Sequence, residues 1–314
     1  MTSIAVSSRH HMLRFDILMP YYGDPALMRK AVRSVLAQDG SDWRLTVVDD
    51  GTEPEVPDWF ADLRDDRVRY LRNPVNLGVT GNFNRCAELA EAPYAVFMGC
   101  DDLMLPGYLA AVRGALASSP DAGIVQPGVE VVDAAGQVVL PLVDRAKRLV
   151  YAPRLPPAGE RLMLQGERAA RSLLRGNWLY FPSLCWRTAA VRRFGFRPEL
   201  RVIQDLALVL DLLLDGESLV VAPEVVFRYR RHGGSESASA AVGGERFAEA
   251  RAFFAEAAER LERHGWPEAA AASRRHLSSR VHALTLLPGA MARGRWSGAA
   301  RLVRHACGAG AARP

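Results

Sequence analysis

Between Phe15 and Val132 the chain alternates short apolar runs with amphipathic stretches, and that alternation restricts the possible folds more than any other feature. Phe15 to Met19, Leu45 to Val48, Val68 to Leu71, Tyr94 to Met98 and Ile124 to Val132 read as strands. Ala26 to Ala37, Val79 to Ala90 and Gly107 to Ala117 read as helices, the first with Leu27, Val32, Val35 and Leu36 on one apolar face. Strand and helix in repetition is the pattern of βαβ units, so the expected class is α/β, with a mostly parallel mixed sheet flanked by helices. On such sheets ligands gather beyond the carboxyl ends of the strands. That rule sets Pro20 to Asp24, Asp49 to Thr52 and Gly99 to Asp102 along one rim.

The strand at Tyr94 ends in two adjacent carboxylates, Asp101 and Asp102. Hard divalent ions take oxygen ligands and commonly bind one or two carboxylates together with substrate phosphates, so the pair is a candidate Mn²⁺ or Mg²⁺ site for a phosphorylated ligand. The alternative is structural: acids at a strand end also cap the helix that follows, here beginning near Pro106.

The second half is less regular. Asp144 to Arg161 reads as a long loop, Glu167 to Leu174 as a helix, Leu206 to Leu214 as a buried apolar helix, and Ser218 to Val221 as a short strand. Gly233 to Gly244 has the composition of a flexible connection. Glu245 to Arg263, Pro267 to Leu287 and Gly298 to Cys307 follow as helices. The first strand-turn-helix, DILMPYYGDP, carries neither GxGxxG nor GxxxxGK[ST], which disfavours a dinucleotide-dependent dehydrogenase or a P-loop ATPase. Tyr21 or Tyr22 can lie beside a base or ribose, and Asp49 or Asp50 can accept from a base N–H or a ribose hydroxyl. Packing at a strand end accounts equally for the tyrosines, and a plain turn for Asp49-Asp50-Gly51.

In that order and spacing, MPYYGD, VVDDGT, NLGVTGNFN and MGCDD resemble the nucleotide-sugar half of family 2 glycosyltransferases, whose Rossmann-like fold is termed GT-A. The resemblance covers about Phe15 to Ser237. It implies a catalytic domain over 15–237, divided into a nucleotide-binding half, 15–132, and an acceptor half, 133–237; residues 1–14 extend it, and 238–314 add a flexible link and a helical appendage. By the resemblance, Pro20, Tyr21, Tyr22, Asp24, Asp49, Asp50, Asn76, Gly78, Asn84 and Asp101 face the nucleotide. Asp102, with Asp101, forms the metal site, to which His232 is a further candidate ligand; His232, Ser235 and Ser237 lie near the diphosphate on a loop able to close over the donor. Asp205, just before the apolar helix, is the implied general base of an inverting transfer, with a simple helix N-cap as the alternative. Trp178, Tyr180, Phe181 and Trp186 are acceptor-side candidates, or core. Two departures stand at the donor site: Gly99 where the family often has an acid, and Phe83 where an arginine is common. Gln204 replaces a common glutamate beside Asp205.

The function expected is transfer of a sugar from a UDP- or dTDP-sugar to a hydroxyl acceptor with divalent-metal help. A catalytically silent sugar-nucleotide or glycan-binding module and a nucleotidyltransferase are the competing readings. Four scattered cysteines without CxxC spacing and no apolar leader agree with a cytoplasmic protein. From Ala269 to Pro314 there are eight arginines and no Asp or Glu, against a whole-chain net charge of +5. Such a tail suits a solvated face, an anionic membrane surface at the inner side, or a homodimer contact. No nucleic-acid partner is expected.

Overall fold

The computed structural model describes residues 14–51, 53–155, 160–231, 245–294 and 296–307. Its first half follows the alternation in the sequence. Strands β1 (Phe15–Tyr21), β2 (Trp43–Asp49), β3 (Val68–Arg72) and β4 (Tyr94–Phe97) lie parallel, linked by α1 (Pro25–Leu36), α2 (Val56–Leu63) and α3 (Gly78–Leu89). Asp24 starts α1: its carboxylate accepts from the Ala26 N–H at 2.7 Å, and Pro25 supplies the preset backbone of the first turn. Helix α2 gave no sequence signal because it has eight residues and buries only Val56. Strand β5 (Leu103–Met104), α4 (Tyr108–Ser118) and β6 (Ala122–Val132) complete this half.

The second half departs further from expectation. The supposed loop from Asp144 holds the end of α5 (Leu142–Ala146) and a π-helical turn, Lys147–Tyr151. After β7 (Leu162–Gln165), α6 (Gly166–Arg175), β8 (Cys185–Arg187), α7 (Thr188–Phe194) and α8 (Gln204–Leu214), strand β9 runs Ser218–Arg230, well past Val221. It continues because it pairs in parallel with β6 out to Val132↔Arg230, shifting register where Pro223 interrupts it. Gly128 permits that approach, since a Cβ there would sit 2.8 Å from the Glu224 carbonyl oxygen. Among the described residues the strands form one sheet in the order β3-β2-β1-β4-β8-β6-β9-β5, with β7 on β9.

Helices cover both faces. Residues of α1, α2 and α4 share one apolar core with the sheet, and residues of α3, α6, α7 and α8 share another. Helices α9 (Glu245–Arg263) and α10 (Pro267–Arg275) belong to that second core through Phe253, Phe254, Leu261 and Ala269. The buried Asp211 of α8 is matched by Arg197 at 2.9 Å and Arg260 of α9 at 2.6 Å, which ties the C-terminal helices to the sheet domain. The helix expected over Pro267 to Leu287 breaks at His276, where φ is +29°, into α10 and α11 (Leu277–Ala292); α12 (Trp296–Cys307) follows. His276 is buried there, stacked on Phe254 with ring centroids 5.2 Å apart.

Candidate active site

Because β1, β2 and β4 are parallel neighbours, their carboxyl ends reach the same rim of the sheet. The Gly99–Asp102 turn follows β4 immediately. Asp102 is 1% exposed; its Oδ1 accepts the Arg230 backbone N–H at 2.7 Å, whereas its Oδ2 is buried with no hydrogen-bond partner. Burial, and then the neighbouring Asp101 charge, push this carboxyl well above the usual carboxylate range, against the pull of the Arg230 N–H. A buried carboxylate oxygen without a partner is costly. A divalent cation would supply what Oδ2 lacks, and carboxylate oxygens are the donors Mn²⁺ or Mg²⁺ takes. Asp102 with Asp101 beside it therefore fits such an ion. Among the described residues no group of three His, Cys, Asp or Glu gathers, so these residues do not build a closed metal cage.

The departure at Gly99 acquires a physical reason. A Cβ there would collide with Asp102 Oδ2 and lie 3.2 Å from Asp101 Oδ1, so glycine makes room for the Asp102 carboxylate. Arg230 secures the turn from the other side: its guanidinium donates to the Asp101, Asp133 and Ala134 carbonyl oxygens at 2.8, 2.9 and 3.1 Å.

The other rim residues divide between surface and scaffold. Asp49 is fully buried; Gly51 N–H donates to its Oδ1 at 2.8 Å, and Arg72 and Tyr70 donate to its Oδ2. Asp50 caps α3 from outside, accepting from Asn73 at 2.9 Å and from the Leu77 and Gly78 N–H groups at 2.8 Å. Asn76 braces the same corner, donating to the Asp50 carbonyl and accepting from Gly78 N–H. Tyr21 is buried and donates to the Gly23 carbonyl, Asp24 caps α1, and Asn84 clamps both backbone groups of Phe196 at 2.8 Å. Pro20 pairs with Val48 inside the sheet. Tyr22, 68% exposed, keeps a free aromatic face at the rim.

A cleft of about 1150 Å³ opens at this rim, lined among others by Gly99, Asp101, Asp102, Asn177, Asp205 and Arg231. Asp205 is half-buried in the first turn of α8, and Asn177 donates to its Oδ2 at 3.0 Å. The N-cap alternative for Asp205 does not hold. Asp205 lies inside the helix, whose N-cap is Ile203; the turn ahead of it is held by Glu249 of α9, which accepts the Arg201, Val202 and Ile203 N–H groups at 3.0, 2.9 and 2.9 Å. Gln204 faces the cleft with its Oε1 buried and unpartnered. Opposite, Arg231 donates to the buried Asp144 at 2.7 and 3.0 Å, and the Tyr180 hydroxyl donates to the same carboxylate at 3.0 Å. Tyr180 and Phe181 line the cleft; Trp178 and Trp186, 5% and 0% exposed, belong to the core. Phe83, in place of that arginine, packs edge-on against Phe181 and Phe97. His232, Ser235 and Ser237 lie outside the described residues.

Arg230, Arg231, Asp144, Asn177 and Glu249 escaped the sequence reading. For the first two a signal existed: Val226-Phe-Arg-Tyr-Arg alternates as a strand should, and following it would have carried β9 to the rim.

The family model for Glycosyl transferase family 2 matches residues 16–180, from the first strand into the cleft wall. The chain belongs to glycosyl transferase family 2. Family members similar to it include the putative colanic acid biosynthesis glycosyl transferase WcaA of Escherichia coli K12, 31% identical over 96 residues, which are 30% of this chain and 34% of that protein. The GalNAc(5)-diNAcBac-PP-undecaprenol beta-1,3-glucosyltransferase of Campylobacter jejuni is 28% identical over 104 residues, 32% of this chain and 34% of that one. The match thus spans about a third of these family members' length. Among solved structures, S. aureus TarS 1-349 superposes with a TM-score of 0.64 at 15% identity, covering 93% of this chain and 81% of that one. Its complex with UDP-GlcNAc gives 0.58 at 16% identity over 77% and 65%. At such identities the likeness establishes the shared GT-A fold.

Proposed function

We propose that the protein is an inverting glycosyltransferase that moves a sugar from a UDP- or dTDP-activated donor to an acceptor hydroxyl, assisted by Mn²⁺ or Mg²⁺. The observation that carries this reading is that one cleft holds both the partnerless buried oxygen of Asp102 and the carboxylate of Asp205. The names of related proteins support a sugar transferred from a nucleotide donor: one neighbour is a complex with UDP-GlcNAc, and another relative is a UDP-Glc-dependent glucosyltransferase of Escherichia coli.

Asp102, with Asp101, would hold the metal, whose chemistry is to neutralise charge on the departing diphosphate. Asp205, oriented by Asn177, accepts the proton of the acceptor hydroxyl as that oxygen attacks the anomeric carbon. The bond from the anomeric carbon to the diphosphate breaks on the opposite side, so the configuration inverts. Tyr22 offers its exposed ring to the base, and Arg231, paired with Asp144, lines the cleft. Of the departures that favour a silent binding module, Gly99 and Phe83 sit in close packing, while Gln204 leaves Asp205 without a second carboxylate beside it.

Release of UDP from UDP-sugars, with water and with glycan or lipid-linked acceptors, tests the proposal. Asp102→Ala should abolish turnover and weaken Mn²⁺ and nucleotide binding, while Asp205→Asn should bind donor normally and fail to transfer. Normal turnover by either variant would refute the role given to that residue.

A further inference from the structure

Helix α11 is apolar on two sides but packed on one. Its inner side, Ala283, Leu286, Leu287 and Ala290, closes a small core with Phe247 and Leu302. Its outer side carries Leu277, Val281, Leu284, Pro288 and Met291, spaced by four, three, four and three residues and hence in one stripe. These side chains are open to solvent: Leu277 is 56% exposed, Val281 53%, Leu284 51% and Met291 46%. Trp296, 66% exposed, begins α12 close by in sequence, and Val303 adds a further exposed apolar group. A helix apolar all round normally has both sides covered.

The charge around this stripe names its cover. Arg275, Arg293, Arg301 and Arg304 are exposed from the end of α10 through α12, Arg274 being paired with Glu262 of α9, and no Asp or Glu occurs after Glu268. An acid-free, arginine-flanked apolar stripe with an exposed tryptophan has the composition of a helix that lies in the plane of a membrane interface. Among the described residues no helix is long and apolar enough to cross a membrane, so insertion would be shallow. A second copy of the chain fits less well, because it would bring one set of arginines against another.

We infer that α11 and α12 dock on an anionic lipid surface, the α11 stripe entering the acyl boundary and the arginines meeting the headgroups. Val281 belongs both to the stripe and to the cleft wall. Docking therefore sets the mouth of the cleft at the bilayer. The inference stands apart from the transferase reading and is measured without turnover.

The test is co-sedimentation of the full chain with vesicles of phosphatidylcholine, alone or mixed with phosphatidylglycerol. Binding is expected to the anionic vesicles, to fall as salt is raised, and to weaken at least about tenfold in both Leu277→Glu/Leu284→Glu and Arg293→Ala/Arg304→Ala. The far-UV spectrum reports that each variant is folded. Absence of binding to anionic vesicles, or binding unchanged in folded variants, overturns the inference. So does a lipid-free dimer in sedimentation velocity that the double glutamate variant dissolves, since the stripe would then be covered by a second copy.

Discussion

Asp102 is the residue on which the site turns, and its surroundings explain themselves only in three dimensions. Its partner Arg230 lies 128 positions away, a distance at which no spacing rule operates. The carboxylate pair itself was legible, because a buried strand ending in two acids is a local pattern. Its supports were not. Gly99→Ala is expected to push Asp102 or the turn aside, destabilising the fold by about 1–3 kcal/mol as other overpacked sites do and weakening Mn²⁺-dependent nucleotide binding; an alanine variant with unchanged melting temperature and affinity would contradict the packing account. Arg230→Met, which removes three guanidinium bonds but not the backbone N–H to Asp102, should retain the fold and lose metal affinity in calorimetric titration. Asp49, Asp50 and Asn84 teach the complementary lesson. Sequence marked them as polar groups at a rim, but gave no sign that all three already have partners: Gly51, Tyr70 and Arg72 on Asp49, the Leu77 and Gly78 N–H groups on Asp50, and the Phe196 backbone on Asn84.

At the scale of elements, α9 prepares the proposed base. Glu249 satisfies three N–H groups just ahead of α8, so the turn before Asp205 is fixed by a helix that the sequence presented as an appendage. Glu249→Ala is expected to cost about 1–3 kcal/mol of stability, the usual scale of losing hydrogen bonds to a charged group, and to reduce transfer more than donor binding; equal loss of both would argue against a positioning role. The C-terminal hairpin carries a pH dependence. His305 is fully buried, its Nε2 beside the Ser279 hydroxyl, and burial together with His276, Arg251 and Arg280 lowers it from 6.5 to about 4. The first group lowered in the folded state is thus held neutral, so its contribution is complete above about pH 6.5 and is lost as the pH falls toward 4. Amide protection of α11 and α12 should decline over that window in the wild type and stay flatter in His305→Leu; the same decline in the variant would assign it to other groups. This behaviour was illegible in the sequence, since nothing local marks His305 as buried or pairs it with His276, 5.4 Å away between ring centroids.

For the whole molecule, periodicity foretold the parallel half of the sheet because its crossings are local βαβ units. It failed for β7 and β8, whose antiparallel pairings depend on segments distant in sequence; the far end of β9 carried the alternation, but its pairing with β6 was not local. In the proposed function this assembled cleft binds a nucleotide-sugar through a metal held at Asp102. Thermal unfolding with UDP-, dTDP- and GDP-sugars, with and without Mn²⁺, in wild type and in Asp102→Asn, tests it most directly, since a ligand at a hundred times its Kd adds about 2.7 kcal/mol to stability. The melting temperature is expected to rise with a UDP- or dTDP-sugar only when Mn²⁺ is present, and the rise to vanish in Asp102→Asn. No rise with any donor, or an equal rise in the variant, would contradict it.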